Sequence, residues 1–286
     1  MAEPTPVAPS DDGVVSASER FPEPFSPRLG WPILATCAGW ALAYALLPLR
    51  YATNDDLAIV SSLRHGNETI FLSHLLNRAL IALYRWLPEV PWFSGLVIAA
   101  TIVGIALMVA AIRRRADDWT MPIAALLPLG LFGLECVAFT SFTSAALLLE
   151  LGVVLTLFES ALFGERPATS LLVALVSAAL VSYGLRWRLF LLFLPFAVPL
   201  LLFAGRPLRR RLIVAVLCLG AVVAVDRGLA RWQQSDEFRG YEAYNFARSR
   251  FHDTDGGSVF GPSTYRAAAL VGWTRVDLHI YQIWIT

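Results

Sequence analysis

The sequence predicts an all-α fold, a polytopic transmembrane helix bundle of about seven spans, with an amphipathic surface helix and a small outer-face segment at the C-terminus. Three observations lead there. Composition is the first: 57% of the residues are hydrophobic and 16% charged, too little polar surface to clothe a soluble domain. The second is length, since apolar runs of roughly 16–22 residues recur, close to the roughly 20 that cross hydrocarbon as a helix. The third is that the densest arginine clusters fall between those runs rather than inside them.

Taken in order, residues 1–29 are rich in Pro, Ser, Glu and Asp and lack the basic start and early apolar core of a secretory signal, which predicts a disordered cytoplasmic tail. Apolar runs follow at 30–49, 92–112, 119–138, 143–163, 170–185, 189–204 and 212–226. The stretch 170–204 is too long for one crossing. "YGLRWR" at 183–188 puts a glycine and two arginines near its middle, so it reads as a helical hairpin. A single straight helix would leave Arg186 and Arg188 inside the bilayer, unfavourable by about 2.5–3.5 kcal/mol each on the insertion scale. The bundle thus occupies 30–227, with an outer loop at 50–91, and 228–286 forms the outer segment.

Arginine placement sets the orientation, because cytoplasmic loops collect basic residues. "RRR" at 113–115 and "RPLRRR" at 206–211 are separated by four predicted spans, which puts both on one face, the cytoplasmic one. The N-terminus joins them there, in a bacterial inner membrane. The "NDD" segment at 54–56, "TSFTS" at 140–144, the "RWR" turn and everything after Asp226 then share the outer face.

Residues 68–87 would be about 30 Å long as a helix. His74, Asn77 and Arg78, at helical i, i+3, i+4 spacing, make a polar stripe opposite Phe71, Leu72, Leu75, Leu76, Leu80 and Leu83. That pattern predicts a helix lying on the outer surface rather than a span, ended by "PEVPW" at 88–92.

Other classes are set aside. All 23 basic residues are arginine and the net charge is +1, so no bulk field draws nucleic acid, which is not an expected partner. Cys37, Cys136 and Cys218 sit in apolar runs without metal-ligand spacing, as buried free thiols do. No Walker loop, HExxH, GxSxG or CxxC pair occurs, so nucleotide hydrolysis, zinc proteolysis and serine hydrolysis lack sequence support.

Chemistry is suggested in two places. An aspartate at the bilayer centre is unfavourable by about 2.5–3.5 kcal/mol, so Asp55 and Asp56 are expected at or beyond the interface. Neighbours on a helix diverge by about 100°, and the two therefore have different jobs. One faces a cavity as general base or metal ligand, and the other caps a helix begun near Asn54; alternatively both merely cap and solvate that helix. Later, "YEAYNFARSRFHDTDGG" puts Tyr241, Tyr244, Asn245 and Arg248 on one helical face. Such a face suits phosphate binding by Arg248 and stacking of a sugar, with His252 close by, or else a solvated amphipathic helix. Trp273, Asp277, Tyr281 and Trp284 suit carbohydrate and an interfacial aromatic belt equally. Glu150 lies inside a predicted span, where an ionisable side chain must face protein or a wet cavity.

With "YATNDDLAIVSSLRHG", "HLLNRALIALYRWLPEVPWFSGL", "FTSFTSAALL", "YNFARSRFHD" and "GWTRVDLHIYQIW", residues 31–286 resemble a family of bacterial polytopic membrane proteins whose layout is similar to GT-C glycosyltransferases. The resemblance implies sugar transfer from a polyprenyl-phosphate donor to an envelope glycan or lipid acceptor on the outer face. It implies that Asp55 or Asp56 is the catalytic or metal-binding acid, with a divalent cation such as Mg or Mn as the cofactor in the second case. Residues 68–87 would be the surface helix. Asn54, His74, Arg186, Arg188, Tyr244, Asn245, Arg248, His252, Trp273 and Asp277 would contact the lipid phosphate and sugar. The chain ends at "IWIT" without the closing hydrophobic segment of well-studied members. The alternatives are a non-catalytic transporter or lipid-glycan-handling protein, with Glu150 and the arginines lining a path, and a structural subunit of an envelope-assembly complex.

Overall fold

The computed structural model describes residues 27–46, 54–113, 139–164 and 167–243, together with positions 130, 135, 136, 269, 274 and 276. Eight helices of ten residues or more account for most of these: α1 (Pro27–Leu46), α2 (Asn54–Arg64), α3 (His74–Trp86), α4 (Trp92–Arg113), α5 (Phe142–Leu162), α6 (Thr169–Leu185), α7 (Trp187–Phe203) and α8 (Arg206–Gln233). The chain forms two compact units, Met1–Ala224 and Val225–Thr286.

By length and composition α4, α5 and α8 can each cross a membrane, while Cys37–Leu46 of α1 and all of α6 are shorter apolar helices. Seven spans are therefore not all accounted for among the described residues, and the run at 119–138 lies mostly outside them. The first helix begins at Pro27, slightly before the end of the expected tail. The hairpin in 170–204 is present: α6 and α7 are separated by Arg186 alone. Pro195 and Pro199 lie within α7, so the amide hydrogens they lack leave gaps in its hydrogen-bond ladder.

The core of the first unit is built around α4 and α5. A Cβ on Gly104 would come within 2.6 Å of the Leu148 carbonyl carbon, and one on Gly152 within 2.7 Å of the Gly104 oxygen. Only hydrogen fits between these backbones, and close approach of this kind is how helices associate in lipid, where apolar burial alone gives little drive. Near the N-termini of the two helices the Phe93 and Phe142 rings lie 6.5 Å apart, so α4 and α5 run in the same direction. The Ser182 hydroxyl on α6 donates to the Ala146 carbonyl of α5 (3.1 Å). Phe93, Val97, Ala145, Ala146 and Leu149 are buried where these helices meet.

The surface helix is shorter than expected, and its polar stripe divides between the interior and the surface. It starts at His74, with the Ser73 hydroxyl accepting from the Leu76 amide, and its 13 residues reach about 20 Å, too short to span. Residues 67–73 are non-helical. Of the expected polar stripe, His74 and Asn77 are buried together with Leu80, Ile81 and Tyr84, while Arg78 is exposed, as are Leu75 and Trp86. The reason is hydrogen bonding. Asn77 accepts from the Thr69 amide (3.0 Å) and donates to the Thr69 and Leu72 carbonyls (2.9 and 3.3 Å), and so satisfies a loop that would otherwise bury bare backbone.

The thiols also differ from expectation. All three are free, but only Cys136 is buried; Cys37 is half-buried and Cys218 is exposed on α8. In the second unit, a helical stretch at 236–243 is capped by Ser235, whose hydroxyl accepts from the Phe238 amide (3.1 Å), and carries an Asp236–Arg239 ion pair.

Candidate functional site

Four distant parts of the sequence meet at the N-terminal end of α5. Asp56, in the first turn of α2, is fully buried, and its Oδ1 accepts from the Phe142 amide, 86 positions along the chain (3.1 Å). An α-helix leaves its first amides without partners and carries partial positive charge there. A carboxylate from α2 and the Ser141 hydroxyl, which accepts from the Thr143 amide (3.2 Å), supply acceptors for them. Asp56 thus caps a helix, though not the one it begins.

Arg186, the single residue between α6 and α7, holds its guanidinium carbon 5.1 Å from the Phe142 ring centroid and 5.6 Å from that of Phe71. The two rings are 5.8 Å apart. A guanidinium between aromatic faces keeps its charge while sharing desolvation with the ring quadrupoles. Phe142 is therefore the hub, with its amide on Asp56 and its ring beneath Arg186. The loop before α3 is fixed to the same turn, because the Ser73 amide donates to the Gly184 carbonyl (2.8 Å). A Cβ on Gly184 would stand 3.0 Å from the Leu76 side chain.

His74 forms the second polar centre. Its Nδ1–H donates to Glu68 Oε2 (3.0 Å), and Arg78 approaches the other Glu68 oxygen (3.9 Å). His74 is buried, Glu68 largely so, and Arg78 is exposed. A carboxylate on Nδ1 fixes the orientation of an imidazole ring. Tyr84 closes the helix at its other end by accepting from the Phe93 amide (3.1 Å), which locks α3 to the start of α4.

Of the expected site residues, Asp56, His74 and Arg186 are thus built into one end of the first unit. Asn54 and Asp55 are the first two residues of α2, with side chains outside the described set. Arg188 is separated from Arg186: it is exposed and lies over the Trp187 ring at 5.1 Å. Tyr244, Asn245, Arg248, His252, Trp273 and Asp277 lie outside the described residues. Among the described residues, no three His, Cys, Asp or Glu side chains gather as a metal ligand set. Glu150 is buried in mid-α5, and its Oε2 has no hydrogen-bond partner among the described residues.

Three participants were not evident from the sequence. Phe71 and Phe142 read as ordinary apolar residues, and nothing in their spacing points to Arg186. Glu68 stands six residues before His74, a separation that neither a helix nor a strand brings together.

Comparison with protein-family models, with curated proteins and with solved structures finds no match to this chain. Fold and site together define an all-helical protein with helices fit to cross a membrane and a charged, aromatic cluster at one end of them.

Proposed function

We propose that this chain is an integral membrane protein of the glycosyltransferase type, acting at the outer face of a bacterial inner membrane. It would move a sugar from a polyprenyl-phosphate donor to an envelope glycan or lipid acceptor. The observation that carries the reading is the meeting of Asp56 and Arg186 on Phe142. A guanidinium suits a lipid phosphate, and Asp56 stands at the same helix start.

Because Asp56 accepts from the Phe142 amide of α5, it acts in this reading as a positioning residue, and Asp55 is the base. Asp55 accepts the proton of the acceptor hydroxyl, the acceptor oxygen bonds to the anomeric carbon, and the bond from that carbon to the phosphate oxygen breaks. The electron pair leaves on the polyprenyl phosphate, whose charge Arg186 stabilises. Arg188 assists at the phosphate, and Asn54 and His74 contact the sugar.

The test uses purified full-length protein in liposomes, a panel of polyprenyl-phosphate-linked hexoses and pentoses, and release of polyprenyl phosphate as readout. Asp55→Asn is expected to slow release by about 100-fold or more with an unchanged unfolding midpoint. Full activity of Asp55→Asn, or no release by folded wild-type protein with any donor, refutes the reading. A second reading, a non-catalytic transporter or lipid-glycan-handling protein, is favoured by Glu150, since a buried carboxylate in a span faces protein or a wet path.

A further inference from the structure

The opposite end of α7 and α8 carries four arginines within six residues, Arg206, Arg209, Arg210 and Arg211, in the first turns of α8, where no acidic residue is present. Cations at a helix N-terminus oppose the positive end of the dipole, so the cluster is electrostatically unfavourable by itself. Two of the four are employed by the fold. Arg209 Nη2 donates to the Leu202 and Ala204 carbonyls (3.3 and 3.1 Å), closing the end of α7, and Arg211 Nη1 donates to the Pro167 carbonyl (2.9 Å), tying down the approach to α6.

The other two are not. Arg206 and Arg210 are exposed and have neither an ion pair nor a side-chain hydrogen bond among the described residues. At i and i+4 they share one helix face, which continues through exposed Ile213, Val214 and Leu217. Leu208 and Leu212, buried against Ala161 and Leu200, occupy the opposite face. One stripe thus has two unpaired guanidinium groups at its end and two turns of bare aliphatic surface along its length, on a helix apolar enough to cross a membrane.

We propose that this stripe binds an anionic phospholipid, with Arg206 and Arg210 on the headgroup phosphate and an acyl chain along Ile213, Val214 and Leu217. Guanidinium pairs bind phosphate oxygens through charge-assisted hydrogen bonds, and the anion supplies the negative charge that the helix start lacks. Arg209 and Arg211 hold the turn so that the other two stand at the lipid boundary. The site is independent of sugar transfer and lies on different residues.

The test places full-length protein in nanodiscs of phosphatidylcholine with or without phosphatidylglycerol, and reads lipid retention by native mass spectrometry together with the thermal midpoint. Wild-type protein is expected to retain phosphatidylglycerol and to melt higher in its presence. Arg206→Gln/Arg210→Gln is expected to weaken retention on the order of tenfold or more, with an unchanged midpoint in phosphatidylcholine. Arg209→Gln/Arg211→Gln should lower the midpoint in both lipids and keep the phosphatidylglycerol-dependent rise. Undiminished retention by Arg206→Gln/Arg210→Gln overturns the proposal. So does an equal midpoint rise produced by inorganic phosphate in phosphatidylcholine discs, which would assign the site to a free anion.

Discussion

Helices α5 and α8 are both apolar enough to cross a membrane, yet the protein uses them in opposite ways. In α5, buried residues occupy most of the length and include Glu150, Thr156, Glu159 and Ser160 alongside Gly152, Ala145 and Ala146. Ile213, Val214, Leu217 and Val225 of α8 are all exposed. Apolarity does not distinguish the two, because in lipid a leucine gains little by leaving the tails for another helix. Small and polar residues do. Gly152 lets α4 approach to backbone distance, Thr156 and Ser160 return hydrogen bonds to their own helix at 2.7 and 3.0 Å, and Ser141 and Asp56 cap the start. In a membrane bundle the centre is marked by what does not need lipid.

That contrast can be broken from the inside or sharpened from the outside. The largest effect is expected at the α4–α5 contact. Gly104→Val drives a branched side chain into the Leu148 backbone, where no side chain can yield, and is expected to cost about 3 kcal/mol or more of stability. The measurement is unfolding titrated with SDS in mixed micelles. A loss below about 1 kcal/mol would mean that the two helices are not in backbone contact. The smallest effect is expected on α8, where Leu217→Ala removes a side chain that is 66% exposed and should change the same midpoint by no more than about 0.5 kcal/mol. A loss comparable to that of a core leucine would show that α8 is covered by protein at this position.

Much of the helical outline was legible before any coordinates. Length and apolarity identify α4, α5 and α8, and the glycine and arginines of "YGLRWR" mark the turn at Arg186, because charge in hydrocarbon is disfavoured wherever a turn can avoid it. The orientation of α3 was not legible. A polar stripe beside an apolar one normally faces water, but Asn77 turns inward to satisfy the Thr69 and Leu72 backbone, and that requirement arises from the conformation of a loop rather than from periodicity. Nor was the role of Asp56 legible. A capping residue is read from its own helix start, whereas Asp56 caps α5, and only tertiary structure joins the two. The aromatic seat of Arg186 was hidden for the same reason, since Phe71 and Phe142 carry no local signal of their partner.

The claim on which the site depends is that Arg186 and Phe142 meet, and a double-mutant cycle measures this directly. Arg186→Gln, Phe142→Leu and the double variant are unfolded in the same SDS titration. A guanidinium 5.1 Å from the ring centroid is expected to give a coupling of about 0.5–2 kcal/mol. If the two losses add to within about 0.3 kcal/mol, Arg186 does not lie over Phe142, and the convergence that supports the proposed function is contradicted.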